Sequence, residues 1–237
     1  MMLCRLICLV LTLLLSSSLY ATDYAGFTVK TYQPQQEQLG LYLKDENGQI
    51  FKTFARLDTW LNAKQETLIF AMNAGMYQSN FEPVGLLVIK GKQLAKLNLR
   101  EAKGNFYWKP NGVFFVDDTG AQIVESSQYP KLADKVQFAT QSGPLLLQQG
   151  KIHPEFKPDA ISRLIRNGVG IAGNQVYLVM STKPVNFYEF ARFFKDELKC
   201  SDALYLDGVV SALYMQEPKL NTQTTPLGPM IGITRQP

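Results

Sequence analysis

Apolar residues recur along this chain mostly in short runs bounded by glycine, asparagine or aspartate, a pattern of strands and turns more than of helices. Residues 26–32 and 39–44 alternate apolar and polar positions, as half-buried strands do, and Glu46-Asn47-Gly48 supplies turn chemistry after the second. Residues 68–72, 84–89 and 113–116 read as further strands, two of them followed by turns at Gly91 and at Asp118-Thr119-Gly120. Residues 145–147, with Gln148-Gln149-Gly150 behind them, read as one arm of a hairpin. Residues 169–172 and 176–180 flank Gly173-Asn174, a strong hairpin signal. Strands over 203–206, 212–215 and 230–234 complete the set.

Helical spacing is rarer. Residues 54–63 place Leu57, Trp60 and Leu61 on one face, and residues 132–138 have room for one or two helical turns. The clearest helix is 187–198. Asn186 stands at its N-cap, Glu189 completes a capping box, and Phe190, Phe193, Phe194 and Leu198 form an apolar stripe that reads as core. Many strands and few helices, without strict alternation, predict an α+β fold: a single domain on a mixed, largely antiparallel β-sheet with a few packed helices, spanning residues 22–237.

Residues 1–21 stand apart. Arg5 precedes an apolar stretch, and Ser16 to Ser18 and Ala21 offer small residues for cleavage, so this segment reads as a signal peptide cut after Ala21. The apolar stretch is short and poorly flanked for a stable membrane span. A periplasmic or secreted location follows, with an uncleaved anchor as the alternative. Cys4 and Cys8 lie in this segment, which leaves Cys200 alone in the domain and rules out an internal disulfide; burial beside the 187–198 helix is the expectation for it. With 46% hydrophobic residues the domain can hold itself together by its core. The net charge of +4, with lysines scattered and no basic stripe, argues against a nucleic-acid partner.

The chemistry narrows by elimination. Histidine occurs once, at His153, where a surface loop position is expected. Histidine-ligated zinc and a Ser-His-Asp triad are thereby improbable, and no phosphate-binding glycine loop opens a helix. No cofactor is called for. A structural divalent cation such as calcium stays open, with Asp117-Asp118 as the carboxylates to consider, although a turn completed by Thr119-Gly120 explains them more cheaply.

Four segments concentrate what remains. The run 203–206 drives into Asp207-Gly208-Val209-Val210-Ser211, the run 67–72 ends in Asn73-Ala74-Gly75-Met76-Tyr77, Gln141-Ser142-Gly143-Pro144-Leu145 carries a Gly-Pro turn, and Arg166-Asn167-Gly168-Val169-Gly170 carries an arginine into a glycine-punctuated strand. In this order they resemble the phosphodiester glycosidase family, which includes the lysosomal uncovering enzyme. The family pattern runs approximately Asn-Ala-Gly-Phe-Phe, Gly-Pro-x-Leu, Arg-Thr-Ala-Ile-Gly and Asp-Gly-Gly-Gly-Ser. Pro83-Val84-Gly85-Leu86 and Lys109-Pro110-Asn111-Gly112-Val113-Phe114 resemble secondary blocks of its bacterial branch. The departures are Val209 and Val210 in place of two glycines, and Asn167 and Gly168 in place of Thr-Ala.

The resemblance implies an exported hydrolase that removes a sugar from a glycosyl-1-phosphodiester of envelope or extracellular glycan. Asp207 is then the carboxylate that stabilises the cationic sugar or activates water, and Arg166 holds the phosphate. Arg163 is the reserve cation; the odd spacing puts residues 163 and 166 on opposite faces of an extended segment, so one of them enters the cleft. Asn73 donates its amide to substrate, with a turn-capping role as the alternative. Gly75, Tyr77, Ser142, Gly143, Gly208, Ser211 and Asn111 are the remaining candidate substrate contacts. Backbone N–H groups at Ser142-Gly143 suit an anion, and Tyr77, Tyr107 and Trp108 suit sugar stacking, with an ordinary turn and core packing as their alternatives. Asp207 has its own alternative, a structural acid capping the turn at Gly208. Two further readings of the whole chain are a glycan-binding envelope protein without activity and a phosphodiesterase that cuts the P–O bond.

Overall fold

A computed structural model describes residues 22–132 and 134–235. The expected leader, residues 1–21, lies outside the described residues. The domain is α+β, as the pattern predicts, but its strands divide among three sheets, and every ladder among the described residues is antiparallel.

The first sheet runs in the order Thr22–Tyr24, Phe27–Thr31, Gln175–Ser181, Asn167–Ala172, Asp202–Asp207, Leu145–Gln148, Lys151–Ile152. The second runs Leu220–Asn221, Leu213–Met215, Thr67–Asn73, Met230–Arg235, Gln38–Tyr42, and the third runs Lys92–Ala95, Leu87–Ile89, Phe138–Ser142, Gly112–Asp117, Gly120–Glu125. One core cluster joins all three, with Leu178, Leu204 and Leu206 from the first sheet meeting Phe70, Met72 and Ile231 from the second and Leu87 and Phe114 from the third.

The outer faces are covered too, which explains why several strands are continuous apolar runs. In Asp202–Asp207, Leu204 and Leu206 face the shared core while Ala203 and Tyr205 face the helix Phe187–Arg192 on the other side. The capping box at Asn186 and Glu189 forms as expected. The helix does not continue as α over the whole of 187–198: from Phe193 to Glu197 it widens into a π turn. Phe193 there stacks on Phe27 with ring centroids 3.9 Å apart, and Phe194 packs over Gly170. A Cβ at Gly170 would collide with the Phe194 ring and sit 2.8 Å from the Cys200 sulfur, so the glycine punctuation of this strand lets the helix approach closely. On the second sheet, Phe54, Leu57 and Leu61 of the helix Phe54–Asn62 pack against Leu68, Ala71 and Met230.

The helical turns expected over 132–138 are a correction. The short helix is Tyr129–Leu132, and the next regular element is the strand starting at Phe138, which pairs with Ile89 and Val116. Sheet pairing and the packing of Val136 against the third sheet override the weak local pattern. His153 is also corrected: it is buried, stacked on Phe156 at 4.6 Å, with Nε2 2.9 Å from the Lys109 carbonyl and Nδ1 accepting the Glu155 N–H.

Candidate active site

Four of the sequence-nominated segments meet where the first and second sheets come together at the C-terminal end of Asp202–Asp207. Register accounts for it: Asn167, the first residue of its strand, pairs with Asp207, the last of the neighbouring one, and a bulge at Asn167/Gly168 turns the ladder there. From the second sheet, Asn73 ends Thr67–Asn73 directly opposite.

Asn73 and Asn167 are both fully buried and interlocked. Asn167 Nδ2 donates to the Asn73 carbonyl at 2.8 Å, and Asn167 Oδ1 accepts from Asn73 Nδ2 at 3.4 Å and from the Asp207 N–H at 3.0 Å. Asn73 Oδ1 accepts the Ala212 N–H at 2.9 Å. These amides fix both ends of the 207–212 loop.

Asp207 is 8% exposed. Its Oδ1 accepts the N–H groups of Gly208 at 2.6 Å and Val209 at 3.0 Å, so it does cap the turn. Its Oδ2 accepts no hydrogen bond among the described residues. One oxygen therefore fixes the carboxylate while the other is free to meet a ligand. Gly208 is required by close approach, since a Cβ there would collide with the Tyr205 phenol oxygen and lie 3.4 Å from Arg166 NH1. Tyr77 also lies in the field of Asp207: burial first, and the Asp207 charge second, push its phenol up to about 12. Its hydroxyl donates to the Pro226 carbonyl at 3.0 Å, and its ring packs against Gly228.

Arg166 is 0% exposed, so in this conformation it does not offer the open phosphate contact expected of it. Nε donates to the Val185 carbonyl at 2.9 Å, NH2 to the Ser162 carbonyl at 3.1 Å and NH1 to the Tyr205 hydroxyl at 3.3 Å, while the guanidinium stacks 3.9 Å from the Phe187 ring centroid. No carboxylate pairs with it among the described residues. Burial lowers its pKa, opposed by Tyr205, but an arginine stays charged. The result is a buried cation held by carbonyl dipoles and aromatic faces beneath Gly208.

The other nominated residues divide between framework and surface. Ser142 is buried and donates to the Leu206 carbonyl at 2.8 Å, tying the third sheet to the Asp207 strand. Gly75 donates its N–H to Thr140 Oγ1 at 3.1 Å, and Gly143 packs against Asn111, whose amide donates to the Phe106 carbonyl at 2.9 Å. Ser211 Oγ lies 3.0 Å from the Ile165 carbonyl and 3.2 Å from the Asp207 carbonyl. Arg163 is half exposed and pairs with Glu189 at 2.7 Å. Asp117 Oδ1 accepts from the Thr119 N–H and hydroxyl, so it closes its own turn. Among the described residues, no three His, Cys, Asp or Glu side chains gather as a metal-binding group. Cys200 is buried, and burial pushes its thiol up to about 12, which makes it inert.

Sequence reasoning did not nominate Asn167 or Tyr205. Asn167 registered only as a departure from a motif, and Tyr205 as one more apolar residue of a strand. The available signal was the pairing of Asn167 with Asn73, two amides each adjoining a short apolar run.

The family model described as phosphodiester glycosidase matches residues 66–234, which include Asn73, Arg166 and Asp207. The uncharacterized protein YigE of Escherichia coli (strain K12) is 38% identical over 236 residues, 96% of this chain and 92% of that one. Among solved structures, the zebrafish N-acetylglucosamine-1-phosphodiester alpha-N-acetylglucosaminidase catalytic domain, auto-inhibited by its pro-peptide, superposes with a TM-score of 0.56 at 12% identity, covering 86% of this chain and 87% of that one. A hypothetical protein from Synechocystis also gives 0.56, at 16% identity, over 91% of this chain and 61% of that one. At these identities the structural likeness is one of fold.

Proposed function

The chain belongs to the phosphodiester glycosidase family, and from that premise we propose that it is an exported hydrolase cleaving a sugar from a glycosyl-1-phosphodiester of envelope or extracellular glycan. The observation that carries the reading is the divided duty of Asp207, with Oδ1 locked by two backbone N–H groups and Oδ2 free. A carboxylate held in this way is preorganised to face developing positive charge. As the bond from the anomeric carbon to the phosphate oxygen breaks, the phosphomonoester leaves with the electron pair. Oδ2 stabilises the cationic sugar and either attacks the anomeric carbon or takes a proton from the attacking water.

Arg166 acts from below in this reading. No carboxylate among the described residues pairs with its charge, which lies in a low-dielectric interior, so its field reaches a phosphate bound above Gly208 without direct contact. Asn73 and Asn167 position the carboxylate. The basic start, apolar stretch and small-residue exit of residues 1–21 support export to the periplasm or beyond the cell.

A second reading, glycan binding without cleavage, is favoured by Val209, which stands where the family pattern has glycine and is 83% exposed. One experiment separates the readings. Purified protein is incubated with glycosyl phosphodiesters in heavy-oxygen water, and free sugar and phosphomonoester are both quantified. Equal release of the two, with the label on the sugar and loss in Asp207→Asn, supports the hydrolase. Label on the phosphate means P–O cleavage, and binding without release supports the second reading.

A further inference from the structure

Beside the Asp207 loop lies a cavity of about 670 Å³ that the reading above leaves without a role. That size falls within the range of small-molecule sites, which are mostly apolar with a few placed polar groups. Its walls include Leu164, Ile165, Met180, Pro184, Val209 and Leu220. Gly208, Val209 and Ser211 belong both to this wall and to the loop that follows Asp207, so the cavity adjoins the candidate carboxylate through one short loop. Leu164 and Val209 also stand among the large apolar side chains left in solvent, an arrangement that marks a binding surface when it borders an apolar hollow.

Three of the five hydroxyls of the wall are spent on backbone, those of Thr28 and Thr182 being the exceptions. Ser181 Oγ accepts the Arg166 N–H at 2.9 Å, Ser211 Oγ serves the Ile165 and Asp207 carbonyls, and Thr222 Oγ1 accepts the Leu213 N–H at 2.9 Å. A second sugar would find few partners for its hydroxyls here, and an unpartnered hydroxyl is costly to bury. Arg163 is the one charged side chain in the lining. Its NH2 is engaged by Glu189 and the Pro184 carbonyl, and its remaining donors suit a phosphate at the rim.

We propose that this cavity receives the group on the far side of the phosphate and that this group is a hydrocarbon chain, which makes the substrate class a glycosyl phospholipid, a sugar joined through phosphate to a long-chain alcohol. The inference rests on Asp207 as the hydrolytic carboxylate. Water adds across the bond between the anomeric carbon and oxygen, the sugar gains a hydroxyl, and the lipid leaves as its phosphate monoester. One cation beside an apolar hollow matches a phosphate with a chain attached, and Val209 adds an apolar side chain at the border where the family pattern has none.

The test uses full-length protein and diesters of one sugar that differ only in the alcohol: methyl, hexyl, decyl and a prenyl chain of matched length, all below micelle formation. Each buried methylene should lower KM about fourfold, so burial of even two of the nine methylenes that decyl adds to methyl should lower KM about sixteenfold, and burial of more of them further. Leu220→Arg in the wall should abolish that dependence and leave turnover of the methyl ester unchanged. Leu164→Glu, at a more exposed wall position, should do the same if Leu220→Arg fails to fold. A lower KM for prenyl than for decyl would identify an isoprenoid alcohol and a lower KM for decyl a straight chain, both in keeping with the cavity. Hydrolysis with KM independent of chain length would overturn the inference and leave the hydrolase standing. Calorimetry with decyl phosphate and methyl phosphate reads the cavity without any turnover. Binding of the decyl ester alone, lost in the wall variants, supports it even if no diester is cleaved, and equal or absent binding of the two overturns it.

Discussion

Asn167 holds Asn73 across the junction of two sheets, donating from Nδ2 to its carbonyl at 2.8 Å and accepting from its amide at 3.4 Å, although the two lie 94 residues apart in the chain. Because Asn167 Oδ1 also takes the Asp207 N–H and Asn73 Oδ1 the Ala212 N–H, this pair sets where the carboxylate sits. Asn167→Ala should therefore strand a buried N–H and a buried carbonyl, destabilising the fold by about 2 kcal/mol or more. Combined with Asn73→Ala in a double-mutant cycle, the pair should show a coupling of about 0.5–3 kcal/mol by denaturant titration. Additive effects would mean that the contact carries no energy of its own.

Asp207→Asn should lower turnover of a glycosyl phosphodiester by about 10²-fold or more. The substitution keeps an oxygen able to accept from Gly208 and Val209, so the melting temperature should hold. Unchanged turnover would sink the mechanism. A fall in melting temperature matching the loss of activity would make Asp207 a structural acid and nothing else.

Arg166→Met should cost about 3 kcal/mol, because the Val185 and Ser162 carbonyls lose buried donors and the Phe187 face loses its cation. Arg166→Lys should recover only part of this, since a point charge does not reproduce the guanidinium fork. The check is denaturant unfolding of both variants beside kcat and KM. Full stability with lost activity would point instead to a guanidinium that reaches the substrate.

Gly208→Ala should be poorly tolerated, whereas Val209→Ala should stay within about 0.5 kcal/mol of wild type, as exposed substitutions usually do. At Gly208 the new methyl would meet the Tyr205 hydroxyl and crowd Arg166; at Val209 the side chain is in solvent. Melting temperatures of the two variants settle the contrast, and equal behaviour would remove the close-approach argument for this glycine.

Stability should fall as pH rises above about 9. Burial pushes the Cys200 thiol up from 9.0 to about 12 and the Tyr77 phenol up from 10.0 to about 12, so between those limits the folded chain keeps protons that the unfolded chain releases. With more protons bound to the native state, unfolding free energy declines with pH through this window and is unaffected by these groups well below 9. Melting curves from pH 8 to 11 should show the decline, and Cys200→Ala should flatten its first part. A flat profile in wild type would contradict the burial of both groups.

Local pattern was enough for the strands at 68–72, 113–116, 169–172, 176–180 and 203–206 and for the capped start of the 187–198 helix, because alternation, turn chemistry and capping boxes are properties of neighbouring residues. It also singled out Asp207, Asn73 and Arg166, each at the edge of an apolar run beside a glycine or an amide. Short strands such as Lys92–Ala95, Gly120–Glu125 and Leu220–Asn221 carry little apolar signal of their own and exist because a partner strand supplies their hydrogen bonds. The division into three sheets, the π turn at Phe193 and the burial of His153 likewise follow from packing between distant segments. At the site, the sequence determined which groups are available, a carboxylate, a guanidinium and two amides. Only the tertiary structure decided their parts, because burial and register act across the whole chain: they sank Arg166 beneath Gly208, raised Asn167 from a motif mismatch to the clamp on Asp207, and left one carboxylate oxygen free.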